Sequence, residues 1–266
     1  MLAQQRQQAI LERVRGSGGV RVADLVRELG VSDMTIRRDL EVLSERGLVE
    51  KVHGGATATG PGSTEEPGFA AKSVRQQAEK ETIARHAARL VRPATAVALS
   101  AGTTTWTLAH QLVDVPELTV ITNSIRVADV FHRSPRADHT VVLTGGVRTP
   151  SDALVGPVAV SAIRGLHVDT LFLGVHGMST RAGFTTPNLL EAETNRELVA
   201  SAHRLVVLAD HTKWGTVGIS TIAELAEAHI VVTDSGMTEK AREELAASVG
   251  EMIITEPQRE SEIAGR

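Results

Sequence analysis

The 266 residues contain no cysteine and no tyrosine, and only two tryptophans and four phenylalanines. The missing thiols exclude disulfides, thiolate nucleophiles and cysteine zinc sites together. Aromatics at 2% leave too little surface for the stacking platforms that hold single-stranded nucleic acids. No apolar run is long enough to cross a bilayer. Gln4, Gln5, Arg6, Gln7 and Gln8 stand where a secretory signal would carry its apolar segment, so the cytoplasm is the expected location. A net charge of −4 points neither to a membrane surface nor to a protein that coats nucleic acid generally. Signatures of nucleotide sites and hydrolases are missing as well. There is no Gly-x-Gly-x-x-Gly after the first strand of the second domain, no Gly-Lys-Thr/Ser, no His-Glu-x-x-His and no Gly-x-Ser-x-Gly. Neither a metal nor a cofactor is expected.

What is present starts near the amino terminus, where Ser32 to Gly47 reads as a capped amphipathic helix. Ser32 is placed to cap the first turn, and Asp33 suits the positive end of the helix dipole. Ile36, Leu40 and Leu43 recur at i, i+4, i+7 and predict the buried face. Met34, Arg38, Glu41 and Glu45 point away from that stripe, and Thr35 and Arg37 flank it. Arginine forks onto a guanine edge, and threonine and methionine meet a thymine methyl, so this face suits the DNA major groove. Val20 to Leu29 predicts a preceding helix, with Gly30-Val31 as the turn between the two. Gln4 to Val14 predicts a third helix. Leu48 to His53 alternates like a strand and ends at Gly54-Gly55, which turns the chain tightly. Three helices and a two-stranded wing make a winged helix-turn-helix. Ser32, Met34, Thr35, Arg37 and Arg38 are its expected groove residues, with Lys51 and His53 of the wing on phosphates. Up to Ala58 the chain carries nine Lys/Arg against eight Asp/Glu, so weak nonspecific binding and a modest salt dependence are expected.

Thr57 to Gly68 is rich in glycine, proline and small polar residues and marks a boundary. The expected organisation is a head over 1–57, a linker over 58–72, a body over 73–256 and a polar tail over 257–266. The body opens with a helical run from Ser73 to Val91. Apolar runs then alternate with helical stretches. The runs are 96–99, 118–121, 140–143, 168–173, 205–208, 230–232 and 252–254, and the helices are 104–112, 125–131, 158–163, 189–203 and 239–247. This pattern predicts an α/β domain with a mostly parallel sheet covered on both faces.

Such sheets bind ligands beyond the carboxyl ends of their strands. There Gly102-Thr103-Thr104-Thr105 offers a close backbone approach, three hydroxyls and the free N–H groups of a helix start, a set suited to phosphate. The same residues suit a threonine-capped helix with no ligand. Lys213 is placed to balance an anion, and Asp210, Asn123 and His176 to bond a polar ligand. Glu191, Glu193 and Arg196 read as surface pairs.

The series Val31-Ser-x-x-Thr-Ile-Arg-Arg-Asp-Leu40, His53-Gly-Gly-Ala56, Ala101-Gly-Thr-Thr104, Ile121-Thr-Asn123, Thr144-Gly-Gly146, Leu173-Gly-x-x-Gly177 and Asp210-His-Thr-Lys-x-Gly215 resembles the DeoR family of bacterial transcriptional repressors. The resemblance spans about Arg6 to Thr233. It implies a body similar in fold to ribose-5-phosphate isomerase and glucosamine-phosphate deaminase. It also implies a double-stranded operator as partner, and release from it by a phosphorylated sugar or related effector. The family usually carries Asp where Ser100 stands, so Ser100 joins the expected effector contacts. It usually carries Val-Lys-Arg where Thr194-Asn195-Arg196 stands. Helix-turn-helix proteins read symmetric sites, so a homodimer or homotetramer is expected. A second reading is a sugar-phosphate isomerase or deaminase with an added DNA-binding head. It would take its base from Asp169, Asp210 or Glu193.

Overall fold

The computed structural model describes residues 3–17, 19–45, 48–52, 54–58 and 68–256. His53, the stretch 59–67 of the expected linker and the expected tail at 257–266 lie outside the described residues. The chain divides into two compact units, residues 1–62 and 63–266.

The first unit runs α1 (Ala3–Ser17), β1 (Gly19–Arg21), α2 (Val22–Leu29), α3 (Asp33–Glu45), β2 (Val49–Val52) and β3 (Gly55–Ala58). Its core is small: Ile10, Leu11 and Val14 of α1 meet Val22, Leu25, Ile36, Leu40 and Leu43 of α2 and α3, with Val49 and Ala56 from the strands. Helix α2 stops because Gly30 adopts φ 64° and returns its N–H to the Val26 carbonyl. The wing has three antiparallel strands, in the order β1-β3-β2, rather than two. Val20, expected at a helix start, pairs instead with Ala56.

The second unit opens with α4 (Phe69–Ser73) and α5 (Gln77–Ala88). Residues 69–73 were expected within the linker and the start of one long helix. They form a separate short helix, because Gln76 takes φ 50° and breaks the run. The chain continues through β4 (Ala96–Leu99), α6 (Thr103–Leu112), β5 (Thr119–Thr122), α7 (Ile125–His132) and β6 (Thr140–Leu143). A small hairpin, β7 (Val147–Arg148) and β8 (Leu154–Val155), leads into α8 (Pro157–Ile163) and β9 (Val168–Gly174). Next come β10 (Gly177–Ser179), β11 (Gly183–Thr186), α9 (Leu189–Ser201), β12 (Ala202–Leu208) and β13 (Ser220–Ala223), then β14 (Ile230–Asp234), α10 (Glu239–Ala246) and β15 (Met252–Thr255).

Seven of these strands form one sheet, ordered β15-β14-β12-β9-β4-β5-β6, and every neighbouring pair is parallel. Alternate residues feed two cores. Val97, Leu99, Val120, Phe172, Val206 and Val232 meet α5, α6 and α7. Ala98, Ile121, Leu171, Leu173, Val207 and Val231 meet α8, α9 and α10. A second sheet, β10-β11-β13, is antiparallel and was not anticipated. From β4 the chain builds outward to β5 and β6, then returns to add β9 on β4's other side. The strand order therefore reverses between β4 and β9. Open α/β sheets bind ligands beyond the carboxyl ends of their strands at such a reversal.

Candidate functional sites

In the first unit, α3 presents the side chains expected in a groove. Met34 is 80% exposed, and Arg37 and Arg38 are exposed, while Thr35 is partly covered. Ser32 Oγ accepts from the Thr35 N–H at 3.3 Å and shares a hydroxyl contact of 2.8 Å with Thr35 Oγ1. Arg37 Nε reaches Asp33 at 2.5 Å, an exposed pair of little strength that a phosphate or base edge would displace. Arg38 has no ion pair among the described residues. Lys51 is exposed on β2 and pairs with Glu41 of α3 at 3.1 Å, tying the wing to the helix. Asp39 was not singled out from the sequence, yet it is buried. Its carboxylate accepts from Arg6 Nε at 2.5 Å, Arg6 Nη2 at 3.3 Å and Gln7 Nε2 at 3.1 Å, which locks α3 against α1.

In the second unit, the Gly102–Thr105 crook lies beyond the end of β4, at the strand reversal. The helix cap of α6 is Gly102 itself, with extended backbone and no side-chain cap, so no threonine hydroxyl covers the first-turn N–H groups. The three threonines are not equivalent. Thr105 Oγ1 turns inward and donates to the Ser100 and Gly102 carbonyls at 2.7 and 3.0 Å, so it shapes the crook. The hydroxyls of Thr103 and Thr104 have no partner among the described residues. Ser100 is fully buried and its Oγ accepts from the Gly174 N–H at 3.0 Å. β4 and β9 are neighbours, so the side chain just past one strand is spent on the end of the other. Asn123 Oδ1 accepts from the Ala101 N–H at 2.9 Å, and its Nδ2 donates to the Leu154 carbonyl at 3.2 Å. Ser100, Thr105 and Asn123, expected as ligand contacts, are thus engaged in building the loop. His176 is half-buried in the turn between β9 and β10, its backbone N–H donating to Thr185.

Asp210 and Lys213 follow β12, two strands from β4 and so about 10 Å along the same edge. Asp210 is buried and caps a single 3-10 turn, accepting from the Thr212 N–H at 3.1 Å and from the Thr212 hydroxyl. Lys213 Nζ stands 4.0 Å from its carboxylate. Next to it His211 Nδ1 meets Asp234 at 2.8 Å, and this bond, more than burial opposes it, raises the His211 pKa.

The sequence reading missed Lys80. It sits on α5 among Ile83, Ala84 and Ala87, only 5% exposed, and its ammonium donates to the carbonyls of Lys72 and Arg75 at 2.6 and 2.5 Å. Burial lowers its pKa to about 8; Asp210 opposes the shift, and Lys213, Lys72 and Arg75 add to it. Asp210 and three cations thus act on the buried Lys80 ammonium, and a second buried carboxylate, Asp234, lies beside His211. The signal was legible: Lys80, Ile83, Ala84 and Ala87 share one helical stripe, where a lysine is out of place. Glu191, read as a surface residue, instead accepts from Thr149 Oγ1 at 2.8 Å and Thr186 Oγ1 at 3.1 Å. Asp169 lies at the amino-terminal edge of the sheet, its carboxylate accepting from the Ala96 N–H, away from the crook. Among the described residues no cluster of three or more metal-ligating side chains occurs, and no helix is long and apolar enough to cross a membrane.

A helix-turn-helix head joined to a parallel α/β body defines a DNA-binding regulator with a second domain of its own. Residues 6–61 match the DeoR-like helix-turn-helix domain and residues 75–235 the DeoR C terminal sensor domain. The chain is 35% identical to the HTH-type transcriptional regulator GlpR of Haloferax volcanii, over 93% of this chain and 96% of that one. It is 34% identical to the uncharacterized HTH-type transcriptional regulator YgbI of Escherichia coli, over 91% and 93%. With the E. coli glycerol-3-phosphate regulon repressor it shares 28% over 87% and 90%. Among solved structures it is similar to ribose 5-phosphate isomerase A of Methanocaldococcus jannaschii, at 15% identity and TM-score 0.38, over 52% of this chain and 54% of that one. The protein belongs to the DeoR family of transcriptional regulators.

Proposed function

We propose that this protein is a repressor of a carbohydrate or polyol operon, bound to its operator through α3 and the wing and released by a phosphorylated sugar or related metabolite. The observation that carries the effector is the crook at the strand reversal. Uncapped N–H groups and the Thr103 and Thr104 hydroxyls, unpartnered among the described residues, stand at the same sheet edge as the Lys80 and Lys213 ammonium groups, both of which act on the buried Asp210. The phosphate is held by Gly102, Thr103 and Thr104, and the rest of the molecule reaches toward Asp210, Lys213 and His176. Ser32, Met34, Thr35, Arg37 and Arg38 read bases or brace the helix in the groove, with Lys51 and His53 on phosphates. The head, expected over 1–57, extends at least through β3 to Ala58, the sensor, expected over 73–256, takes in α4 from Phe69, and two or four copies assemble on a symmetric operator.

The test is direct. Arg38→Ala is expected to weaken operator binding about 10- to 100-fold in a fluorescence-anisotropy titration. Thr103→Ala and Lys213→Ala, followed by calorimetry, are expected to lower affinity for sugar phosphates while leaving operator affinity intact. Unchanged ligand affinity in both removes the assigned pocket. The enzymatic alternative has less support, since Asp169 lies at the other edge of the sheet and Asp210 is engaged as a cap. Turnover of any member of a sugar-phosphate panel would revive it.

A further inference from the structure

We propose that Lys80 couples the occupied crevice to the entrance of the sensor unit: an anion that draws its ammonium takes it from the carbonyls of Lys72 and Arg75 and frees α4. This rests on the effector site proposed above and goes beyond it to the means of transmission.

Helix α4 is the first described element after the segment that leaves the DNA-binding head. Five residues are too few for a helix to persist by its own hydrogen bonds. None of its side chains is fully buried, and Val74 just after it is 75% exposed. Its attachment is a short set of contacts. The Phe69 N–H donates to the Pro150 carbonyl at 3.2 Å, and the Phe69 ring packs edge-on against Trp106 at 5.7 Å. The Arg126 guanidinium lies over the same ring, 5.2 Å from its centre, and Lys72 Nζ donates to Ser151 Oγ at 2.7 Å. A further hold is the Lys80 ammonium on the carbonyls of Lys72 in the helix and Arg75 just after it. Elements anchored this lightly open at low free energy.

Lys80 is unusual in what satisfies it. Among the described residues this buried cation hydrogen-bonds only neutral carbonyls; Asp210 attracts its charge, and three other cations push against it. A doubly charged phosphate would offer charge-assisted bonds roughly twice as strong as those to carbonyls. The exchange of partners is thus downhill for Lys80 and costs α4 its terminal clamp. Trp106 reinforces the connection, since its backbone N–H donates to the Gly102 carbonyl in the crook while its ring holds Phe69. A ligand at Gly102–Thr104 therefore acts on two of the supports of α4.

The test uses the full-length protein with glycerol 3-phosphate and inorganic phosphate, binding being read by calorimetry and α4 by hydrogen exchange of peptides covering 68–76. Saturation is expected to speed exchange there about tenfold or more while the sheet strands stay protected. Lys80→Met, which cannot hold the carbonyls, is expected to show fast α4 exchange and weakened operator binding with no ligand present. A ligand that binds but leaves 68–76 unchanged or slower overturns the coupling and spares the site. So does a Lys80→Met protein that keeps full operator affinity and loses only its response to ligand, which would make Lys80 an anion contact and nothing more. Failure of either phosphate to bind the wild-type protein removes the site reading and this coupling together.

Discussion

Lys80 and Asp39 make the same point from the two units. Each is a charged residue set in the apolar stripe of a helix, Lys80 with Ile83, Ala84 and Ala87, Asp39 with Ile36, Leu40 and Leu43. Burying a charge is unfavourable unless it is paired, so each position fixes a partner: Arg6 and Gln7 for Asp39, two carbonyls for Lys80. For Lys80 the consequence is a pH dependence whose sign differs between ligand binding and folding. The free protein holds Lys80 at about 8, below its ordinary 10.5, because of burial. A bound dianion favours the ammonium, so binding takes up a proton once Lys80 has begun to deprotonate. Affinity for a phosphate ester is expected to fall as pH rises from about 8 toward 10, a trend that Lys80→Met flattens, by calorimetry in buffers of different ionisation enthalpy. For folding, the unfolded chain binds more protons than the native one across the same window. The Lys80 contribution therefore makes the ligand-free protein more stable as pH rises through it, and a comparison of melting temperatures with Lys80→Met isolates that contribution.

At the scale of elements, Gly55 carries a clear prediction. A Cβ built there would lie 2.1 Å from the Val20 carbonyl oxygen, so only glycine lets β1 and β3 approach. Gly55→Ala is expected to push β1 from the wing, lower the melting transition of the head and weaken operator binding. Ligand affinity in the sensor unit should not change. Differential scanning calorimetry with a parallel binding titration checks both halves. The same strand marks the limit of what the sequence discloses. The seven parallel strands were legible because interior strands such as Leu205–Leu208 are apolar on both faces and are separated by helices of the right length. β1 was not, since its three residues are strands only through pairing with Gly55–Thr57, more than thirty positions away in the chain. β10, β11 and β13 are short and rich in glycine, serine and threonine, which reads as loop. In the crook, residue type was legible but direction was not. Ser100, Thr103, Thr104 and Thr105 look alike as hydroxyls, and only the neighbouring strand ends decide which of them turn inward.

For the whole molecule, the proposed two-fold operator leaves one head covering only half of it. Light scattering on the protein–operator complex is expected to return at least two chains per duplex; a single chain would refute the assembly. On that proposal a ligand would weaken DNA binding only by its preference for an arrangement of copies that misplaces the heads. The poverty of aromatics gives this switch a natural readout. The two tryptophans are Trp106, wedged between Phe69 and His110 at the crook, and Trp214, adjoining Lys213. With no tyrosine in the chain, all indole emission comes from the rim of the proposed effector crevice. The protein therefore carries its own optical probe, and unlabelled material in a fluorimeter suffices to watch a ligand arrive and the Phe69 contact loosen.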